Sequence, residues 1–241
     1  MTYSVTRTEL LSSVRARTNT ENQLDFCDDV EVTGYINAGI TSIWDLILNS
    51  TWGGDRYQRS HTFSTEAGRS NYERPSDYYR TLSADAFVEN DRPVSIYPFP
   101  KEWRNILRGS APLLAYPWSP GAQIYYRWEG GDMVFLPVPQ SVFQIRLNYA
   151  PVAPRLYAAD DSFDGVNGWE EYVILYAAIR VLTKCGPYET IPLLTQQMAD
   201  EKARIMVSAP QADMQQAERT HILERFDDYD ATGGMTPWDG F

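Results

Sequence analysis

His61 and His221 are the only imidazoles in the chain, so a general base working near neutral pH would be sought there first. His61 sits in the alternating stretch Ser60-His61-Thr62-Phe63, the pattern of a strand surface, and His221 sits in a weakly helical stretch, the pattern of a solvated helix. No Gly-x-Ser-x-Gly elbow accompanies either one. Neither a Gly-x-x-x-x-Gly-Lys-Ser/Thr loop nor a Gly-x-Gly-x-x-Gly turn is present, which leaves nucleotide binding through those loops unsupported. The carboxylate pairs Glu170-Glu171 and Asp227-Asp228 are adjacent in sequence. Neighbours on a helix point in different directions, so these pairs read as solvated faces or interface charges rather than as an acid and a base sharing one cleft.

One stretch imitates a metal loop: Asp160-Asp161-Ser162-Phe163-Asp164-Gly165-Val166-Asn167-Gly168. It lacks the alternating ligands and the bidentate Glu at the twelfth position of an EF-hand. The expectation is an Asx-rich turn that leads into a helix at Trp169 and caps it. Cys27 and Cys185 have no metal-ligand or redox spacing and are expected as reduced, mostly buried thiols, although spacing alone leaves a disulfide open. No catalytic residue, metal site or cofactor is expected.

Bulk properties narrow the partners. The 241 residues are 43% hydrophobic and 22% charged, values of an ordinary folded chain. A net charge of -11 would repel phosphates and anionic lipid, which argues against a nucleic-acid-binding module but suits a wall that DNA passes without sticking. Sixteen Tyr and seven Trp raise the aromatic content to 13%, and such side chains join large contact area to a polar tip, as protein interfaces require. No basic segment followed by an apolar run opens the chain, and no apolar run is long enough to span a bilayer, so a soluble protein that is not exported by itself is expected.

The elements follow from periodicity. Thr6-x-x-Glu9 has capping-box spacing ahead of Leu10, Leu11 and Val14, predicting a short helix to about Arg17. Asp28 and Asp29 are N-cap candidates for a long helix with a stripe of Ile36, Ile40, Ile43, Trp44, Ile47 and Leu48, ending before Trp52-Gly53-Gly54. From Arg59 to Tyr149 short extended runs punctuated by Gly and Pro predict a small antiparallel sheet. Its best strands are Gln123–Trp128, Met133–Leu136 and Val142–Tyr149, with Phe143, Ile145, Leu147 and Tyr149 facing a core and Gln144, Arg146 and Asn148 facing water. Helical periodicity resumes at Trp169 and stops at Gly186-Pro187, followed by a helix from about Ile191 to Val207 and a weak one near Met214 to Phe226. The final fifteen residues carry four Asp and no Lys or Arg, with isolated Tyr229, Trp238 and Phe241, which fits either an arm that orders on a partner or a frayed end.

Four stretches together resemble the head-to-tail adaptor proteins of tailed-phage necks, over about Thr6 to Val207. They are the first helix with Asp28-Asp29-Val30-Glu31-Val32-Thr33-Gly34-Tyr35-Ile36-Asn37-Ala38-Gly39-Ile40; Phe63 through Tyr72-Glu73-Arg74-Pro75-Ser76-Asp77-Tyr78-Tyr79-Arg80; Val142 to Tyr149 with Ala150-Pro151; and Asp164-Gly165-Val166-Asn167-Gly168-Trp169-Glu170-Glu171-Tyr172. Asn37 in an otherwise apolar helix can cap or cross-link, and Pro75-Ser76-Asp77 forms a turn that aims Tyr78 and Tyr79. The resemblance implies an α+β fold, in which a helical bundle formed from the N- and C-terminal helices carries an inserted antiparallel β-rich domain and ends in an extended arm. The corresponding divisions are 1–58, 59–157, 158–208 and 209–241. Ile36, Ile40, Trp44, Trp169, Tyr172 and Tyr176 would form the bundle core or pack subunits together, and Tyr229, Trp238 and Phe241 would meet the portal protein. It further implies a non-enzymatic ring, twelvefold as a rule, assembled in host cytoplasm and placed in the virion between portal and tail or nozzle protein. DNA would pass through the ring without specific binding, and no membrane is involved. A carbohydrate-binding or tail-associated β module would also use the aromatics but leaves the long striped helices unexplained.

Overall fold

The computed structural model describes residues 4–21, 27–50, 55–88, 92–99, 124–165, 168–186 and 189–211. The chain is α+β. Helix α1, Arg7–Thr18, starts on the expected capping box: the Thr6 side chain accepts from the Glu9 amide, and the Glu9 carboxylate accepts from the Thr6 amide at 2.8 Å. Helix α2, Asp29–Asn49, starts on Asp28, whose Oδ1 accepts from the Glu31 amide at 2.7 Å. Both caps satisfy amides that would otherwise lack partners at a helix start. Helices α3, Glu170–Cys185, and α4, Ile191–Gln211, follow the sheet.

Helices from the two ends of the chain share one apolar core. Leu10 and Val14 of α1, Ile36, Ile40, Ile43 and Ile47 of α2, and Val173, Ala177 and Val181 of α3 are all fully buried together. Their spacing of three, four and seven residues puts each set on one stripe of its helix. Gly39 permits the closest approach between α2 and α3, since a Cβ there would lie 3.2 Å from Val173 Cγ1 and 3.3 Å from Val173 O. Helix α4 packs on the other side of α3, through Leu175, Leu182 and Leu194, and adds Ile205 to the shared core.

Between α2 and α3 the chain forms a seven-stranded sheet. Its strands are β2 (Arg59–Ser64), β3 (Asn71–Glu73), β4 (Tyr78–Val88), β5 (Arg92–Pro98), β6 (Ile124–Glu129), β7 (Asp132–Leu136) and β8 (Gln144–Pro151), in the order β2-β8-β4-β5-β6-β7-β3. Register shifts interrupt the β4–β8 ladder between Tyr78 and Arg80 and between Thr81 and Ser83, and such irregularities bend a strand and increase its twist. The sheet curls until its edge strands meet: the Phe63 ring of β2 lies 5.4 Å from the Tyr72 ring of β3, and the Tyr72 hydroxyl accepts from the Glu66 amide at 2.8 Å. Inside the curl, Ala86, Ile96, Ile124, Phe135, Ile145 and Leu147 make a second core.

Three expectations need correction. The sheet is mixed, not antiparallel, because β5 and β6 pair in parallel, Ile96 opposite Ile124 and Tyr97 opposite Tyr125. The expected wet face of β8 is only partly wet: Asn148 is 9% exposed and is held between the hydroxyls of Ser60 and Ser83. Within Asp160–Gly168, residues Ser162–Asp164 form strand β9, which pairs with β1 (Ser4–Thr6), and α3 has Trp169 at its N-cap with no side-chain cap bond. The Asx turn is present, with Asp161 Oδ2 accepting from the amides of Tyr157 and Ala158, but it shapes the approach to β9 and not the helix start. The expected helix at Met214 to Phe226 lies outside the described residues, whereas α4 continues past Val207 to Gln211.

Gly39→Leu should force α2 and α3 apart and lower stability by about 1–3 kcal/mol, the usual cost of overpacking. Chemical denaturation of the two proteins checks this, and equal midpoints would show that the helices are not held at this distance.

Candidate functional site

The feature that most constrains the surface is the seam where the helices meet the sheet. Leaving β8, the chain runs as an extended strap over residues 152–157 along α2. Asn37, in the middle of α2, donates from Nδ2 to Leu156 O at 3.1 Å and accepts from Leu156 N at 2.8 Å. Its amide thus answers one residue's donor and acceptor together, as a neighbouring strand would. Leu156 is 1% exposed, so both backbone groups would otherwise be costly to bury.

Two turns further along α2, Trp44 stacks on Tyr57 at 3.8 Å between centroids and donates from Nε1 to Pro151 O at 3.0 Å. Trp44, Leu48 and Ala150 form a small cluster that joins helix to sheet. Burial pushes the Tyr57 phenol up to about 12, so it stays protonated. Asp77, in the turn after β3, closes the seam from the sheet side. Its Oδ1 accepts from the Tyr149 hydroxyl at 2.8 Å, its Oδ2 accepts from Arg59 at 2.6 Å, and its carbonyl accepts from the Val152 amide at 2.8 Å. The Tyr149 hydroxyl, with help from Arg59, holds the Asp77 carboxyl below the usual range. Tyr79 reaches across to Asp45 of α2 at 2.8 Å, and Arg80 donates to Leu48 O at 3.1 Å.

Above the seam lie two adjoining clefts of about 720 and 770 Å³, which share Thr41, Arg155 and Tyr157. Together they make one track along the outer face of α2, from Val30 near its start to Asp45 near its end. The walls are apolar and exposed to an unusual degree: Val30 is 76% exposed, Tyr157 71%, Val152 49% and Tyr79 48%. Apolar side chains gathered on one surface mark an interaction site more than scattered ones do. Arg7, Arg59 and Arg155 place positive charge along the track, and Asp45 and Asp77 line it too, Asp77 paired with Arg59. This groove was not legible in the sequence, because its walls come from α1, α2, β2, the turn after β3, β4 and the strap.

The structure brings together some of the residues singled out by sequence and leaves others apart. Ile36 and Ile40 are fully buried in the shared core, with Trp169 and Tyr172 beside them at 2% and 4% exposure. Trp44 lies in the seam cluster, and Tyr176 is half-buried, 6.5 Å from Tyr172 between ring centroids. Arg56 stacks over Trp169 at 4.5 Å and pairs with Asp164 at 2.9 Å, while Glu171 pairs with Arg17 at 2.7 Å. His61 lies on β2, opposite Leu147 and 5.7 Å from the Phe63 ring. Cys27 is buried and free. His221, Tyr229, Trp238, Phe241 and the Cys185 side chain lie outside the described residues. Among the described residues no three His, Cys, Asp or Glu side chains form a metal-holding group, and no helix is long and apolar enough to cross a membrane.

A family model described as SU10 adaptor protein matches residues 1–228. No curated protein matches the chain.

Two substitutions test the seam. Asn37→Asp keeps an acceptor for the Leu156 amide but sets a carboxylate against Leu156 O, and should cost about 2–3 kcal/mol, comparable to other buried polar groups left without a partner; an unchanged denaturation midpoint would remove the clamp from the account. Tyr149→Phe should lower stability at neutral pH. A carboxyl with a depressed folded pKa stabilises above its unfolded value of about 3.9 and loses that contribution as pH falls through the folded value. The deficit of Tyr149→Phe relative to the parent should therefore shrink in acid, and denaturation midpoints measured from pH 7 to pH 2.5 would refute this by showing a constant gap.

Proposed function

The chain belongs to the SU10 adaptor protein family, a family of phage head-to-tail adaptors, and on that premise we propose that it is a structural subunit of the neck. In this reading many copies close into a ring, twelvefold by the implied family pattern, with the portal protein on one side and a tail or nozzle protein on the other. The family match across residues 1–228 carries the reading. The fold supports it physically. The Asn37 clamp and the Trp44 bond tie the helical core to the sheet, a connection that suits a part meant to pass load between neighbours.

Charge supports the passage of genome through such a ring. With 32 acidic and 21 basic residues, the subunit lacks the excess of Lys and Arg that neutralises phosphates in DNA-binding surfaces. A channel built from it would let DNA slide with little non-specific adhesion. The exposed apolar groove supports a protein partner, since aromatic and aliphatic side chains next to Arg are the composition of interface centres. In an assembly the helices would form the bundle and the sheet would be the inserted unit.

Purified necks, imaged by electron microscopy, should show the chain as a closed ring in contact with portal, and the isolated chain should not retard duplex DNA at about 0.15 M salt. Complete necks that lack the chain, or tight DNA binding at that salt, would defeat this reading.

A further inference from the structure

We infer that the groove along α2 receives the outer face of α4 from the adjacent copy, so that neighbouring subunits join helix into groove. The inference rests on the ring reading above and names the two surfaces that meet within it.

Helix α4 has an uncovered face. It turns Leu194 and Ile205 into the cores, and on its opposite side Leu193 and Val207 are 60% and 64% exposed. Between them Gln196, Asp200 and Ala203 are exposed as well. These five residues follow one another at steps of three and four, the spacing that puts a single stripe against a partner. The stripe is apolar at both ends and acidic in the middle, where Asp200 accepts from Gln196 at 3.0 Å and makes no ion pair with any described residue.

The groove carries the complementary order. Exposed Val30 stands at one end and exposed Val152 and Tyr79 at the other, while Arg155 lines both clefts and so lies between them. The other charged groups along it already have partners. Arg59 pairs with Asp77, Asp45 accepts from the Tyr79 hydroxyl, and Arg7 donates to Thr33. Arg155 has neither an ion pair nor a hydrogen bond with a described residue. A carboxylate brought to the middle of the groove would therefore meet a guanidinium free to take it. Lengths agree too: at about 1.5 Å per residue, Leu193 to Val207 spans roughly 21 Å and Val30 to Asp45 roughly 22 Å. An amphipathic helix laid into such a groove is a common mode of protein recognition.

The stripe cannot reach the groove of its own subunit. Helix α2 meets α3 through Gly39, Ser42 and Glu31, whereas Asn37, Thr41 and Asp45 on its other side line the clefts. Helix α4 is fixed to α3 and to the shared core by the side opposite its stripe, and no α4 residue lines either cleft. Two different patches held apart in this way join only between copies. Such a head-to-tail contact generates a ring when its rotation closes.

The test uses full-length chain assembled into necks, with a photo-reactive phenylalanine analogue in place of Val207, whose exposure leaves room for the larger ring. Equal amounts of isotopically heavy and light copies are mixed before assembly. Irradiation should join position 207 to a peptide from α2 or from residues 152–157, with heavy-light pairs present. Products joined only within one copy, joined only to portal or tail peptides, or lacking the groove peptides would each overturn the inference while leaving an observed ring intact; necks in which the chain forms no ring would remove the ring reading and this inference with it. A second arm reverses the central charges, both on exposed residues. Assembled alone, Arg155→Glu chain should need about tenfold more protein than the parent to fill necks, within the range of a charge pair turned into like charges. Adding Asp200→Lys should restore most of that loss, and a double variant no better than Arg155→Glu alone would overturn the pairing.

Discussion

The two hydrogen bonds between the Asn37 amide and the Leu156 backbone are the constraint on which the arrangement of this protein depends. An Asn in a helix interior is a poor helix former, because its side chain competes for backbone partners. Here that competition is resolved by giving the amide a distant backbone to hold, 119 residues away in sequence. The strap is fixed in position and direction, and everything attached to it follows. Pro151 O meets Trp44, the Val152 amide meets Asp77 O, and the first residues of the strap form a wall of the groove. Had the strap drifted by one residue, the Pro151 carbonyl would lie buried without a donor.

Two cores meet at this seam, and they are built on different periods. The helical core uses residues three, four and seven apart, and the sheet core uses alternate residues. At Ala150 the alternation gives out: Tyr149 and Ala150 are both buried, one toward the interior of the curled sheet and the other toward Trp44 and Leu48. A strand covered on both faces at one end and wet on one face at the other is what joins the two cores into one body. The ion pairs of Glu31 with Lys184 and of Arg17 with Glu171 are surface contacts that orient the helices without adding much to their stability.

Helices were the most legible part of the sequence, since their signals are local and repeated. Thr6 with Glu9 marks the start of α1, and the isoleucine stripe of α2 marks its buried face. The type of role Asn37 plays was readable from its apolar surroundings, but its partner was not, because nothing in the sequence near Leu156 marks that backbone as buried. The parallel pairing of β5 with β6 escaped notice for a similar reason. Gly and Pro punctuation reports where strands stop, and hairpins are the simplest way to connect them, but register between strands far apart in sequence is decided by the closing of the sheet. Strands of three residues, such as β1 and β9, are too short to show alternation at all. Trp169 was readable as an anchor from its position at the helix start, while its partner Arg56 comes from a segment that carries no periodic signal.

The contact of Phe63 with Tyr72 and Phe135 has a consequence beyond packing. A sheet with two free borders offers unpaired amides and carbonyls to any extended chain that drifts past, and proteins held at high local concentration are the most exposed to that hazard. By rolling one border against the other, this sheet leaves little for a stray strand to add to. A chain with so little open border is less prone to edge-to-edge growth than one whose sheet ends in two free strands.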